Sequence, residues 1–592
     1  MPEPARTLHR GTLVLIGLFL AAGAAPAAPR IRVGPEVLVS GSIPYPQVET
    51  MIAANPRDPG NLIGGSMSLI ERSTGTRSYV TFDGGSTWEN APLPRQVREG
   101  ADPQVAFTPR GTAIYMELPT VELDGHYSSP VHVWRSETSG RSWEKAAEIP
   151  GSWDHPVVAI DPASGRVYVA VLSEKESRVA LFRSDDDGRT FAGPMQVAMT
   201  DGQKLSLTVT PPLVLHDGTV VFTWFEFPLD HQDGQPWVNR FWCAISRDGG
   251  QTFSPPVRIA EGFDAPDLSA TTARMSSLPQ TAVDLSAGAT RDRLYLFWTD
   301  FRTGRARIRF TSSRDAGKTW SESREIAAGS DPAANTFMPA PAVSSRGVLG
   351  ILWLGGSDAA YDAWFSASPD GGETFLPAAR VSRETSKPET AGNTAPDAWA
   401  FKNSQGLLRL AFRSPFTRYP IGGDYAGLAA DAAGDFHPFW PDSRSGRFQI
   451  YSARVRVESG APKPPETVRA EVHSRLDVVF DPTSYDPATR EMRVPVRLRN
   501  RSNRPVYGPL EVKVVGSGKG AQNLDKEFTP ILLNAANGRA GVGAVFDYSR
   551  ALGDFDHLEP GEVTSAVVWR LRMVDLARTP YLHLEIWGNV EK

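Results

Sequence analysis

Short runs of alternating apolar and polar residues fill most of the chain. "QVAFTPRGTAIYMEL", "VVAIDPASGRVYVAVL", "PLVLHDGTVVFTWFEF" and "TAVDLSAGATRDRLYLFWTD" share one grammar. An apolar run meets a glycine-containing polar turn, and a second run of β-branched and aromatic residues follows. A third strand then comes, as in "VHVWRS", "RVALFRS", "RFWCAIS", "RIRFTSS" and "DAWFSAS". Helical periodicity is nearly absent, so the pattern predicts an all-β chain.

Each third strand leads into one kind of turn, Ser/Thr-x-Asp-x-Gly-x-Thr-Trp/Phe. The copies centre on Asp83, Asp186, Asp248, Asp315 and Asp370, and a degenerate copy has Thr138 in place of the aspartate. Glycine supplies backbone angles that other residues avoid, and the aspartate can accept backbone N–H bonds across its own turn. The closing aromatics fall at 88, 143, 191, 253, 320 and 375. Repeats of this length mean a solenoid, a propeller or an array. Four antiparallel strands per repeat favour a β-propeller. Six repeats carry the turn. A further stretch, "DYAGLAADAAGDFHPFWPDSRSGRFQIYSARVRV", has three strands, and "IRVGPEVLVS" could supply its fourth and close the ring. The expectation is seven blades, with six as the alternative.

In such a blade the 1–2 and 3–4 turns share one face. The aspartate turns are 3–4 turns, so they predict structural staples, each tying its own blade, on the face away from any ligand site. The run Asp185–Asp187 reads the same way, because a hard-cation loop needs more oxygen ligands than this turn offers. No metal and no cofactor is expected.

The opposite face should hold the chemistry. First-strand starts place Gln47, Glu49, Asp102, Gln104, Asp154, His155, Gln280, Asp424 and Tyr425 there. Second-strand ends add Glu117, Glu226, Arg413 and two matched pairs, Asp300 with Arg302 and Asp442 with Arg444. Such a ring of polar side chains suits a polar ligand. The Asp-x-Arg pairs also read as loop braces, the aspartate capping the turn and the arginine bridging to the next blade. His155 reads as a loop brace as well.

The repeated turn resembles the Asp-box, or BNR repeat, of the sialidase superfamily, over roughly residues 46 to 455. The chain is similar to bacterial secreted proteins of that group. The resemblance implies an exo-sialidase-type glycoside hydrolase. It would use Tyr425 as nucleophile, Glu49 or Glu226 as its base, and Asp102 or Asp154 as acid/base. Arg302, Arg413 and Arg444 would hold the substrate carboxylate, with Asp300, Asp442, His155, Gln280 and Asp424 lining the site. The opening strand, "VSGSIPYPQVET", has Ile-Pro without the arginine that the family places before it. A non-catalytic propeller that binds a glycan or a cell-surface protein stays open beside the enzyme.

Composition narrows the partners. The 592 residues carry a formal net charge of −5 with no basic stripe, which excludes a nucleic-acid polyanion. Residues 1–28, with Arg6 and Arg10 ahead of "GTLVLIGLFLAAGAA", read as an export signal. This predicts a secreted or periplasmic protein with no transmembrane segment in the mature chain. The lone cysteine, Cys243, reads as a core residue rather than a nucleophile. After a linker at 458–467, residues 468–592 hold about seven short strands, which predicts an immunoglobulin-like β-sandwich following the propeller at 29–457.

Overall fold

The computed structural model describes residues 29–592 except 42, 71–72, 95–99, 120, 124–125, 174–175, 201–204, 229–236, 265–277, 327–333, 396, 403–407, 414–417, 459–464, 518–529 and 577–579. The export signal read at 1–28 lies outside the described residues.

The chain is all-β, with antiparallel four-stranded sheets following one another along it. The first sheet is Gln47–Ala54, Leu62–Ile70, Ser73–Thr81 and Glu89–Asn90. The second runs from Ala101–Phe107 to Glu144–Ile149, and the third from Asp154–Ile160 to Ala192–Met199. The fourth runs from Leu205–Val209 to Val257–Phe263 and gains the short strand Leu213–Val214. The fifth runs from Gln280–Val283 to Arg324–Glu325, and the sixth from Asn335–Val343 to Ala379–Arg380. The last holds Gly427–Ala430, Phe436–Asp442 and Gln449–Glu458, and its outer strand is the N-terminal Arg30–Leu38. That pairing of the N-terminal strand with the last of these sheets is the one the sequence suggested.

The core is a series of slabs between successive sheets. Ile63 and Val80 meet Val105 and Tyr115, and further on Leu296 and Trp298 meet Val221 and Phe241. The series closes where Phe439 and Ile450 of the last sheet pack on Leu62 and Tyr79 of the first. Sheets that bury both faces against neighbours in a closed ring are a β-propeller.

The aspartate turns form as their residues dictate. Asp83 Oδ1 accepts the Thr87 N–H at 2.8 Å and the Thr81 hydroxyl at 2.8 Å, while Oδ2 accepts the Thr87 hydroxyl. The same bonds recur around Asp186, Asp248, Asp315 and Asp370. In the degenerate copy the Thr138 hydroxyl takes the Ser142 N–H at 3.0 Å. One expectation is corrected. Each turn ties its sheet to the preceding one, not only to itself. A Cβ on Gly140 would lie 2.4 Å from Ile63 of the first sheet, and one on Gly317 would lie 3.0 Å from Val221 of the fourth. Both glycines have positive φ, so turn geometry and close approach demand the same residue. Cys243 is buried and its thiol donates to the Gly317 carbonyl at 3.4 Å. Burial pushes that thiol up to about 12, as suits a core residue.

The C-terminal residues form two further antiparallel sheets. One contains Thr467–Glu471, Leu582–Glu591, Val506–Ser517 and Val545–Asp547. The other contains Leu476–Phe480, Glu491–Asn500, Val567–Arg572 and Ile531–Leu532. They enclose one core around Trp569, Phe546 and Val512. This unit is fastened to the outer strand of the last sheet and to the first aspartate turn. Asp554 accepts the Val33 N–H at 3.0 Å, and Arg499 reaches the Thr87 hydroxyl at 3.0 Å. The Phe555 ring lies under Arg32, Arg454 and Arg456.

Candidate functional site

Strand register separates the two faces. Ala54 pairs with Leu62 and Leu62 with Thr81 at the aspartate-turn end, whereas Gln47 pairs with Ser68 at the other. Glu49, five residues from Ala54, stands about 17 Å along the strand from that end.

At the far end four first strands carry one and the same defect. Residues 49–50, 102–103, 155–156 and 338–339 each oppose a single partner residue, so each is a β-bulge. The first residue of each bulge has positive φ: 53° at Glu49, 50° at Asp102, 47° at His155 and 56° at Met338. Glycine is the default there. Met338 shows that the bulge itself belongs to the architecture. Three ionisable side chains at a position that costs each about 1–3 kcal/mol point to use rather than packing.

A fifth segment completes the cluster. Residues 418–426 cross from the last sheet over the ring. The Gly422 carbonyl accepts the Glu49 N–H at 3.0 Å, and the Asp424 carbonyl accepts the Leu278 N–H at 3.0 Å. The Tyr361 hydroxyl donates to the Ile421 carbonyl at 3.3 Å. Tyr425 comes within 5.8 Å of the His155 ring, centroid to centroid. Glu49, Asp102, Asp154 and Asp424 thus face one another around Tyr425, His155 and Tyr419, with Arg418 as the cation beside them.

Crowding sets the protonation. Burial, then Asp102 and Asp424, push the Glu49 carboxyl well up, and it donates a hydrogen bond to Asp102. Burial, then Asp154 and Asp424, raise Asp102 to about 7 against the N–H of His155, which it accepts at 3.2 Å. The hydrogen bond from Glu49 works the other way on Asp102 and lowers it, so of the two carboxyls Glu49 holds its proton the more firmly. Burial raises Asp424 too, opposed by Arg418. Burial lowers His155 to about 4, so its ring is neutral at pH 7. Tyr425 is buried and its phenol is pushed far up by burial and by Glu49. Among the described residues, Tyr425 Oη and Glu49 Oε2 have no hydrogen-bond partner. Asp102, Asp154 and Asp424 are half-buried as residues, whereas Glu49 and Tyr425 are buried.

The other sequence candidates do different work. Gln47 Oε1 accepts the hydroxyls of Ser66 and Ser68 inside the first sheet. Glu117 braces the second sheet, taking Trp134 Nε1–H at 3.0 Å. Gln104 is buried, and Glu226 lies in the ladder opposite Arg240. Gln280 is buried at the start of its strand, opposite Phe297. Arg413 ends the strand Leu408–Arg413, opposite Asp397, and its side chain lies outside the described residues.

The two Asp-x-Arg loops are one device used twice. Asp300 Oδ2 accepts Trp298 Nε1–H at 2.9 Å and pairs with Arg302 at 2.7 Å; Asp442 does the same for Trp440 and Arg444. Arg302 continues to the Glu261 carbonyl of the preceding sheet, not the next one. Arg444 pairs with Glu36 of its own sheet at 2.9 Å. Both arginines are consumed as braces and do not converge on the carboxyl cluster, so the three-arginine clamp is not assembled there. Arg418 and Tyr419 carry no recognisable signature and escaped the sequence reading. The proline after Asp102, His155 and Met338 was the one trace of the bulges.

Gly423 seats the crossing segment. Its φ is 121°, and a Cβ there would lie 2.6 Å from both Glu49 Cγ and Glu49 N. Gly423→Ala is expected to cost about 1–3 kcal/mol in urea unfolding, since strain and clash act together. It should also displace Glu49 and weaken ligand binding.

Among the described residues no helix is long and apolar enough to cross a membrane, and no metal-ligand cluster occurs. No protein-family model and no curated protein sequence matches the chain. Similar solved structures include a Hadza microbial sialidase, 18% identical over 64% of this chain and 73% of that one, with a TM-score of 0.36. A xyloglucanase from Xanthomonas campestris is 16% identical over 87% of this chain and 79% of that one, with a TM-score of 0.36. A protein of unknown function from Dyadobacter fermentans is 13% identical over 72% of this chain and 99% of that one, with a TM-score of 0.39.

Proposed function

We propose that the chain is an exported, seven-bladed Asp-box propeller of glycoside-hydrolase type, with an immunoglobulin-like C-terminal domain that braces it. Its site is the carboxyl cluster on the face away from the Asp-boxes. The observation that carries this reading is the pair of matched bulges that bring Glu49 and Asp102 to one face, beside Asp154 and Asp424. The closed series of sheets and slabs supports the blade count, and the two sheets around Trp569 support the C-terminal assignment.

Asp102 is the general acid in this reading. Burial keeps it protonated up to about pH 7, and as a residue it is half-buried where Glu49 and Tyr425 are buried. Glycoside hydrolysis needs a second carboxylate on the other side of the scissile bond. Glu49 holds its proton and spends it on Asp102, so it is not a carboxylate free for that task, which leaves Asp154 and Asp424 to take the proton of an attacking water. Tyr425 is sealed in, so it fits the nucleophile role implied by the sialidase resemblance less well than that of a polar floor. The same burial favours one second reading, a propeller that holds a glycan without cleaving it.

Assay of 4-nitrophenyl glycosides and neutral polysaccharides across pH 4 to 9 tests the proposal. Turnover is expected to decline as pH rises through about 7, because Asp102 must carry its proton to act. Binding without turnover would select the second reading.

A further inference from the structure

A cavity of about 270 Å³ opens beside Asp424, between the fourth and fifth sheets. Phe225, Phe227, Phe241 and Trp298 form its wall, with successive ring centroids 4.9–5.9 Å apart. Asn239 is 7% exposed and lines the same cavity. Its Nδ2 donates to Asp264 at 2.8 Å. A carboxylate only accepts, so that bond fixes the amide's orientation. Oδ1 is then left buried with no partner. A buried acceptor without a donor is costly unless a ligand supplies one. The polar groups at this cavity include the Asp264 and Asp424 carboxylates and the hydroxyls of Thr208 and Thr299, and among the described residues no lysine, arginine or histidine lines it.

We propose that this cavity is a second saccharide subsite, and that the site as a whole takes an uncharged sugar chain of at least two residues. The inference rests on the reading of the carboxyl cluster as the reacting end. The aromatic wall receives the C–H face of a sugar ring. Asn239 Oδ1 receives one of its hydroxyl donors, and the neighbouring carboxylates receive others. A sialic acid or uronate carboxylate would meet like charges with no counter-charge among the described lining residues. The cluster would then cut, or hold, the linkage between the ring in the cavity and the ring over Asp102.

Calorimetric titration of the full chain tests this with cellobiose, xylobiose, lactose and mannobiose, each against its methyl monosaccharide. Sialyllactose serves as the charged arm. At least one neutral disaccharide should bind tenfold or more tighter than its monosaccharide. Phe227→Ala and Asn239→Leu should each lose that tenfold while changing monosaccharide affinity less than twofold. Phe227 is half-buried, so its variant is expected to fold should the Asn239 variant fail, with circular dichroism as the check. Equal binding of mono- and disaccharides overturns the subsite, as does an absence of disaccharide binding or tighter binding of sialyllactose. Insensitivity of the disaccharide to both variants overturns it too. If the subsite fails while Asp102→Asn still abolishes turnover, the cluster reading stands without it.

Discussion

Asp102→Asn is expected to lower turnover by about 10²–10⁴-fold, the usual range for a lost general acid, and at the same time to make the protein more stable at pH 8. Asparagine tolerates the left-handed backbone that the bulge imposes at φ 50°. It can still accept the His155 N–H. What it removes is a carboxyl whose folded pKa is raised to about 7, against about 3.9 in an unfolded chain. Between those values the folded state holds more protons than the unfolded one. Stability therefore falls as pH rises from about 4 to 7, and the deficit is complete above 7. Urea unfolding should show a larger gain for the variant at pH 8 than at pH 4. A variant that loses activity and gains nothing at pH 8 would mean that Asp102 is ionised without strain in the folded protein. The acid assignment would then fail on its own premise.

The same residue shows what was legible in the sequence. A turn that needs aspartate, glycine, threonine and an aromatic at fixed offsets writes itself into the sequence, so the repeats and their sidedness could be read. The first-strand starts followed from the repeats, and they brought in Glu49, Asp102, Asp154, His155, Asp424 and Tyr425 together. The bulges were hidden because a bulge is a property of register, set by the partner strand and not by the bulged one. The role of Arg302 and Arg444 stayed open for a different reason. An arginine two residues after an aspartate can fold back or reach out, and only the position of Glu261 and Glu36 decides it. Asn239 and Trp298 were invisible as site residues because their nearness to Asp424 depends on the crossing segment 418–426, whose path has no local signal. The aspartate turns were read as ties within one blade, since contact between successive sheets leaves its trace only in the size of one glycine.

Asp187→Ala is expected to cost about 3–5 kcal/mol in equilibrium unfolding, although Asp187 sits in the middle of an acidic run that looks like surface. The three aspartates of that run have three separate tasks. Asp186 closes its own turn through the Thr190 N–H and hydroxyl. Asp185 pairs with Arg166 and Arg183 while staying half exposed. Asp187 is 7% exposed and meets Arg135 of the second sheet, itself 1% exposed, with Nη2 and Oδ2 2.7 Å apart. Arg135 Nε also donates to the Asp187 carbonyl at 2.7 Å, and Thr112 donates to the carboxylate at 2.8 Å. Deleting the carboxylate leaves a buried guanidinium whose other acid partners, Glu137 and Glu144, are exposed and 3.3 Å away. Asp185→Ala, which breaks only exposed pairs, should cost less than about 1 kcal/mol. The double variant Asp187→Asn with Arg135→Met should recover much of the loss, because asparagine tolerates the left-handed backbone at φ 63° and the penalty comes from the unpaired charge rather than from the pair's own worth. A double-mutant cycle near zero would show the two sheets held together by their apolar slab alone. A large one would make this ion pair a tether between neighbouring blades, set in the same turn whose other aspartate staples the hairpin.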